Sequence, residues 1–109
     1  MNYKVKTTDS FERDAKRLQK KHPSLKEDVI ALINSLETSP SIGDILGKDC
    51  YKIRIAIKSK GKGKRGGGRV ITCVKIVNQT VYLLTIYDKS KVEDITKQKL
   101  TQLLRDDGL

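Results

Sequence analysis

Aromatic residues are scarce: the chain has no tryptophan, one phenylalanine and four tyrosines, too few for the multi-base stacking platform of a single-strand nucleic-acid binder. His22 is the only histidine, which excludes acid–base chemistry by a histidine pair. With Cys50 and Cys73 the only cysteines, there is neither a disulfide framework nor a four-ligand zinc set of Cys and His, so no metal and no other cofactor is expected. No run approaches the roughly 20 consecutive apolar residues of a membrane span. The opening stretch MNYKVKTTDSFERD lacks the apolar core of a secretory signal, so a cytoplasmic protein without a membrane partner is expected. At 109 residues the chain has the size of one compact domain, 1–109, too short for a separate cofactor-binding domain.

Acidic residues are few and unevenly placed. Thirteen Asp and Glu stand against 23 Lys and Arg, a formal net charge of +10. Residues 50–87 contain no acid at all, while Lys52, Arg54, Lys58, Lys60, Lys62, Lys64, Arg65, Arg69 and Lys75 give that segment +9. The remainder is nearly balanced at +1. A face kept charged only for solubility usually mixes signs, so a one-sign segment favours an anion-binding surface, with nucleic acid the leading partner.

The apolar pattern changes period along the chain. Residues 2–7 alternate as a short strand. Asp9 with Glu12 resembles a capping box, and Phe11, Ala15 and Leu18 then share one helical face, predicting a first helix that ends near Lys21, just before Pro23. Ser24 with Glu27 repeats the capping signal, and Leu25, Val29, Leu32, Ile33 and Leu36 form the stripe of a second helix. Residues 39–44, SPSIGD, are punctuated as a loop. From Cys50 the period is two: Tyr51, Ile53, Ile55 and Ile57 point one way, Lys52 and Arg54 the other. Residues 70–77 and 81–87 read as a hairpin of two further strands, with Val70, Val74 and Ile76, then Tyr82, Leu84 and Ile86, as the inward sets and Thr85 and Tyr87 outward. Leu100, Leu103 and Leu104 mark a last helix. The fold class is therefore α+β, with an N-terminal strand, a two-helix hairpin on one face of an antiparallel sheet, and a C-terminal helix. The opposite sheet face is left free, and Lys52, Arg54, Arg69 and Tyr87 gather on it.

Residues 58–69, KSKGKGKRGGGR, hold six basic residues and five glycines. The G-x-G-x-x-G at Gly61, Gly63 and Gly66 is not a dinucleotide fingerprint, since a strand pattern and not a helix follows it. The segment reads as a mobile hairpin loop whose Lys58, Lys60, Lys62, Lys64 and Arg65 follow a phosphate backbone, an RNA-binding clamp. His22, at a helix end, reads as a partner of terminal carbonyls. Cys50 and Cys73 can neighbour one another across strands but read as small strand residues.

Three segments carry a family resemblance. Asp49-Cys50-Tyr51-Lys52-Ile53-Arg54-Ile55, then Gly68-Arg69-Val70-Ile71, then Tyr82-Leu83-Leu84-Thr85-Ile86-Tyr87-Asp88-Lys89, resemble in order and spacing the RelE branch of the RelE/ParE toxin superfamily. The loop KSKGKGKRGGGR followed by YLLTIYDKS is similar to its HigB-type members. The resemblance implies a toxin of a type II toxin–antitoxin pair, folded like a microbial ribonuclease, that cuts mRNA in the ribosomal A site without metal. It implies as partners a cognate antitoxin, the ribosome and mRNA, and operator DNA only through the antitoxin complex. The archetype's two basic residues on the first central strand correspond to Lys52 and Arg54, and the arginine opening the next strand to Arg69. A further arginine after the last strand is replaced by Lys89, and the archetype's late tyrosine falls near Ile95, its role lost or passed to Tyr87.

The chemistry agrees with these residue types. An RNA 2′-OH can attack the adjacent phosphate if a base, a stabiliser of phosphorane charge and an acid for the leaving 5′-oxygen are present. Lys52, its charged form disfavoured by like-charged neighbours, is moved toward use as a base; Arg54 and Arg69 suit the nonbridging oxygens; Tyr87 or Lys89 suits protonation of the leaving oxygen or orientation of the substrate, and the sequence does not assign base and acid individually. The alternatives are a nonenzymatic RNA- or ribosome-binding protein using the same surface, and a ParE-like gyrase inhibitor, against which the basic triad argues.

Overall fold

The computed structural model describes residues 2–92 and 94–109. The elements are β1 Lys4–Thr7, α1 Asp9–Gln19, α2 Leu25–Thr38, β2 Asp44–Gly47, β3 Cys50–Ile55, a 3-10 turn Lys58–Lys60, β4 Gly68–Lys75, β5 Thr80–Asp88 and α3 Lys97–Asp106. The five strands form one sheet in the order β1-β5-β4-β3-β2. No helix among the described residues is long and apolar enough to cross a membrane.

The α+β class and both helical stripes agree with expectation. Phe11 is buried, with Ala15 and Leu18 packed around it, and Leu25, Leu32 and Leu36 anchor α2. Each fully buried leucine contributes about 1.5–3 kcal/mol relative to an exposed one. The cap of α1 is one residue earlier than Asp9: Thr8 accepts the Phe11 N–H at 3.1 Å, and its own hydroxyl donates to the Leu83 carbonyl at 2.9 Å. Ser24 makes no side-chain cap; its hydroxyl donates to Asp28 at 2.8 Å and accepts the Ser59 N–H at 2.8 Å.

Three expectations about the sheet are corrected. The sheet is mixed, because β1 lies parallel to β5, Lys4 opposite Thr80 and Thr7 opposite Leu83. Parallel neighbours require a crossover connection, and α1 and α2 begin it. The end of the expected loop, Asp44, instead opens β2, an edge strand on β3 whose short run carries too little alternation to read from sequence. Finally, a bulge interrupts β5: Ile71 faces Thr85 while Thr72 faces Leu83, so Leu84 is the extra residue. An extra residue reverses the side to which later side chains point. Val81, Leu83 and Ile86 therefore face the α1–α2 layer with Ile53, Val70 and Val74, while Tyr82 and Leu84 turn to the other side. Ile76 lies beyond the end of β4 and is 73% exposed, outside the core.

The second face is not free. Helix α3 lays Leu100, Leu103 and Leu104 over Cys50, Ile71, Cys73 and Leu84. Thr85, expected outward, is buried, and its hydroxyl donates to Asp14 of α1 at 2.6 Å. Charged side chains occupy the ends of this face, Lys75 with Asp49 at one and Arg54 with Arg69 at the other.

The loop between β3 and β4 folds back onto its own strand ends, and glycine is required where it does so. A Cβ on Gly67 would stand 2.2 Å from the Ile55 carbonyl oxygen and 3.0 Å from the Ile57 nitrogen, whereas one on Gly61, at φ +70°, would meet nothing within 4 Å. Gly67→Ala should therefore lower stability by about 1–3 kcal/mol, seen as a fall of several degrees in Tm. Gly61→Asn, in a left-handed conformation that asparagine tolerates, should leave the melting curve nearly unchanged.

Candidate functional site

Residues directly opposite across antiparallel strands share a face, so the sheet register fixes the site. Arg54 on β3 is opposite Arg69 on β4, which is opposite Tyr87 on β5. One step along, Lys52 is opposite Ile71, and Ile71 opposite Thr85. Lys52, Arg54, Arg69 and Tyr87 are thus gathered on one face, at the end that α3 leaves open. Lys89 is exposed just past β5, and its backbone N–H donates to the Gly67 carbonyl at 3.2 Å.

The four side chains differ in availability. Arg54 is exposed and, among the described residues, unpaired. Lys52 reaches across to Asp94, Nζ to Oδ1 at 2.8 Å. Asp94 is thereby held below the usual carboxylate range, by the hydrogen bond from Lys52 and then by its charge. That pair is open to water on the Asp94 side, so an incoming phosphate can exchange for the carboxylate at little cost.

Arg69 departs from the expectation of a free phosphate grip. It is only 4% exposed, and its Nη1 donates to the carbonyls of Lys64 at 3.1 Å and Gly68 at 3.0 Å, with Nη2 near that of Arg65 at 3.5 Å. The guanidinium ties down the glycine-rich loop while its charge remains beneath the row. Carbonyl acceptors aimed at it come from a local fold that composition does not reveal. Tyr87 is half-buried and its hydroxyl oxygen is enclosed, near the Ile95 backbone but with no partner at hydrogen-bond geometry among the described residues. Burial first, then the charge of Asp94, pushes the phenol upward, opposed by Arg69. The phenol accordingly keeps its proton at neutral pH.

The glycine-rich loop is anchored, which corrects its reading as a mobile clamp. Lys60 is not available to a phosphate: its ammonium lies 2.6 Å from Asp88, with the Lys60 side chain 10% and the Asp88 side chain 6% exposed. Asp88 also accepts the Ser90 N–H at 2.9 Å and the Ser90 hydroxyl at 2.8 Å, and the His22 ring lies 3.2 Å away. His22 therefore partners a carboxylate through its ring, while its backbone N–H donates to Leu18 and Gln19. Lys58, Lys62, Lys64 and Arg65 remain exposed.

Asp88 is the residue that sequence reasoning overlooked. Burial pushes its carboxyl up, but the hydrogen bonds from Lys60 and Ser90, with the Lys60 charge, outweigh burial and hold it well below the usual range. Its signal was present, as the first acid after the acid-free stretch. Asp94 was missed because its segment carries no periodic pattern. A cavity of about 570 Å³ opens between α1 and the chain after β5, with Lys21, Tyr87, Lys91, Asp94 and Ile95 in its wall. Among the described residues no three of His, Cys, Asp and Glu gather as a metal site.

Removing one partner of a buried ion pair strands the other charge. Asp88→Asn should cost about 3 kcal/mol at neutral pH, and adding Lys60→Met should recover much of the loss, measured as a double-mutant cycle by chemical denaturation. Because the folded pKa of Asp88 lies below its unfolded value near 3.9, its contribution is complete above about pH 5 and is lost as pH falls through the folded pKa. The acid limb of the stability curve should accordingly be shallower in Asp88→Asn than in wild type.

A family model described as the RelE toxin of the RelE/RelB toxin–antitoxin system matches residues 3–105. Among solved structures, the E. coli toxin RelE in the free state, with two arginines replaced by alanine, superposes with a TM-score of 0.65 at 16% identity, covering 97% of this chain and 98% of that one. The toxin–antitoxin complex RelBE2 of Mycobacterium tuberculosis gives a TM-score of 0.62 at 20% identity, covering 81% and 99%. At these identities the structural likeness bears on the fold.

Proposed function

The chain belongs to the RelE toxin family of toxin–antitoxin systems, and on that premise we propose that it is a ribosome-dependent mRNA endonuclease held inactive by a cognate antitoxin. The observation that carries the reading is the convergence of Lys52, Arg54, Arg69 and Tyr87 on one sheet face, in register across β3, β4 and β5.

On this reading mRNA lies along the row with its scissile phosphate over Arg54. The 2′-OH loses its proton as it attacks the phosphorus, and the 5′-oxygen leaves. Lys52 exchanges Asp94 for the substrate and acts at the attacking 2′-OH. Arg54, fixed on a strand and always charged, takes the nonbridging oxygens as negative charge grows on the phosphorane. Arg69 adds its charge from below and positions the row by holding the loop carbonyls. Tyr87, which burial keeps protonated, can give its proton to the leaving oxygen only if binding uncovers its enclosed hydroxyl, and exposed Lys89, just past the strand, is the other candidate acid. Lys58, Lys62, Lys64 and Arg65 supply affinity for the RNA backbone of the ribosome complex. The antitoxin would inhibit by covering this basic face, and operator DNA would be reached only through the antitoxin complex, in the cytoplasm.

Induced without antitoxin, the protein should stop amino-acid incorporation before thymidine incorporation, and primer extension should find new 5′ ends within translated mRNA. A primary loss of DNA synthesis would favour gyrase inhibition instead. In single-turnover cleavage on programmed ribosomes, Arg54→Gln should slow the step by about 10²- to 10³-fold. A folded Arg54→Gln protein that cleaves at the wild-type rate removes Arg54 from the chemistry, and wild-type protein that binds ribosomes without cutting supports the binding-only alternative.

The loop makes a separate expectation. Replacing Lys58, Lys62 and Lys64 by Ser should weaken ribosome binding and flatten its salt dependence by up to about one unit of slope per lost phosphate contact. Cleavage by saturating enzyme should persist. Lys60→Ser should lower Tm and leave the salt slope nearly unchanged.

A further inference from the structure

We propose that Cys50 and Cys73 form a dithiol modification site, oxidised by hydrogen peroxide to a cross-strand disulfide within the folded chain, with helix α3 as its cover. The two residues face each other directly across β3 and β4. The type of pair follows from one hydrogen bond. The Val74 N–H donates to the Asp49 carbonyl at 2.8 Å, so the hydrogen-bonded rung is the one before, and Cys50 with Cys73 is a non-hydrogen-bonded pair. In such pairs the Cα atoms approach to about 4.5 Å and the side chains lie closest, inside the span of about 4.4–6.8 Å that a disulfide bridges. Both cysteines are fully buried and reduced. The Cys50 thiol donates to the Lys48 carbonyl at 3.3 Å. Ile71, Leu84 and the α3 leucines Leu100, Leu103 and Leu104 enclose the pair, and the proposed cleavage chemistry uses neither thiol.

The order of reaction follows from the surroundings. The neighbouring Cys50 thiol, and then the charge of Lys75, draw the Cys73 thiol down to about 7 against the effect of burial, while the same neighbour and burial push the Cys50 thiol up. Cys73 is therefore the first thiolate. Its sulfur attacks one peroxide oxygen and breaks the O–O bond, leaving a sulfenic acid on Cys73 and, with the thiol's proton, one water. The Cys50 sulfur then displaces the hydroxyl from Cys73 sulfur, forming the S–S bond and releasing a second water. Two thiols lose two electrons and the peroxide becomes two waters. Because the leucines of α3 shield both sulfurs, peroxide enters only when α3 lifts, and the oxidation rate reports that opening.

The test treats the reduced full-length protein with hydrogen peroxide, then counts thiols after unfolding and measures the intact mass. The expected result is a monomer lighter by about 2 Da with no titratable thiol, a peptide map joining the Cys50 and Cys73 peptides, and recovery of both thiols with dithiothreitol. In Cys50→Ala, dimedone should trap the sulfenic acid on Cys73. Leu104→Ala, which thins the α3 cover, should speed disulfide formation at least several-fold. Two free thiols after treatment, a disulfide-linked dimer, or sulfinic acid with no species lighter by about 2 Da would each overturn the site. An unchanged rate in folded Leu104→Ala would overturn the role of α3. Should Cys50→Ala fail to fold, the wild-type mass and peptide map decide the question alone.

Discussion

The central strand β4 is buried from Gly68 to Val74 without interruption, and that two-sided burial is the constraint on which the layout depends. One side of β4 packs against α1 and α2 through Val70 and Val74, the other against α3 through Ile71 and Cys73. A strand covered on both faces leaves no room for charge along its length, except where a covering layer stops. Helix α3 stops short of the Arg69 end of β4. The basic row lies there, with Arg54 exposed on β3 and Arg69 buried beside it on β4 with loop carbonyls as its acceptors.

Gathering so many like charges at one end of a sheet is unfavourable by itself, and the fold offsets this locally. Asp88 neutralises Lys60 and gathers Ser90 and His22, joining the loop, the α1–α2 turn and the end of β5. Carbonyls of the glycine-rich loop solvate Arg69, and Asp94 occupies Lys52. These devices are of two kinds. The Asp88 and Arg69 contacts are buried and hold structure, whereas the Lys52–Asp94 pair is exposed on its acidic side and exchangeable. The same surface can thus be rigid in its frame while its outermost cations remain open to solvent.

The bulge at Leu84 links these two halves. By reversing the phase of β5 it lets Leu83 and Ile86 face one helical layer while Leu84 faces α3, and it sets Tyr87 in line with Arg69 and Arg54. Without the extra residue, a strand with strict alternation could not serve both cores and still present Tyr87 on the basic face.

The amino-acid sequence by itself determined whatever depends on local period and composition. The stripes of Phe11 to Leu18 and Leu25 to Leu36 dictate two helices, the alternation from Tyr51 to Ile57 dictates a strand with Lys52 and Arg54 on its other side, and the acid-free stretch sets where positive charge concentrates. These signals are local because a helix face or a strand face is set by residues a few positions apart. Tertiary structure alone decided the rest. The parallel seating of β1 on β5, the burial of Thr85 against Asp14, the engagement of Lys60 by Asp88 and the turning of Arg69 into the loop all join groups far apart in the chain. Whether a cation is a free ligand or a structural tie depends on which acceptors the fold brings within about 3 Å of it, and no spacing along one segment encodes that distance.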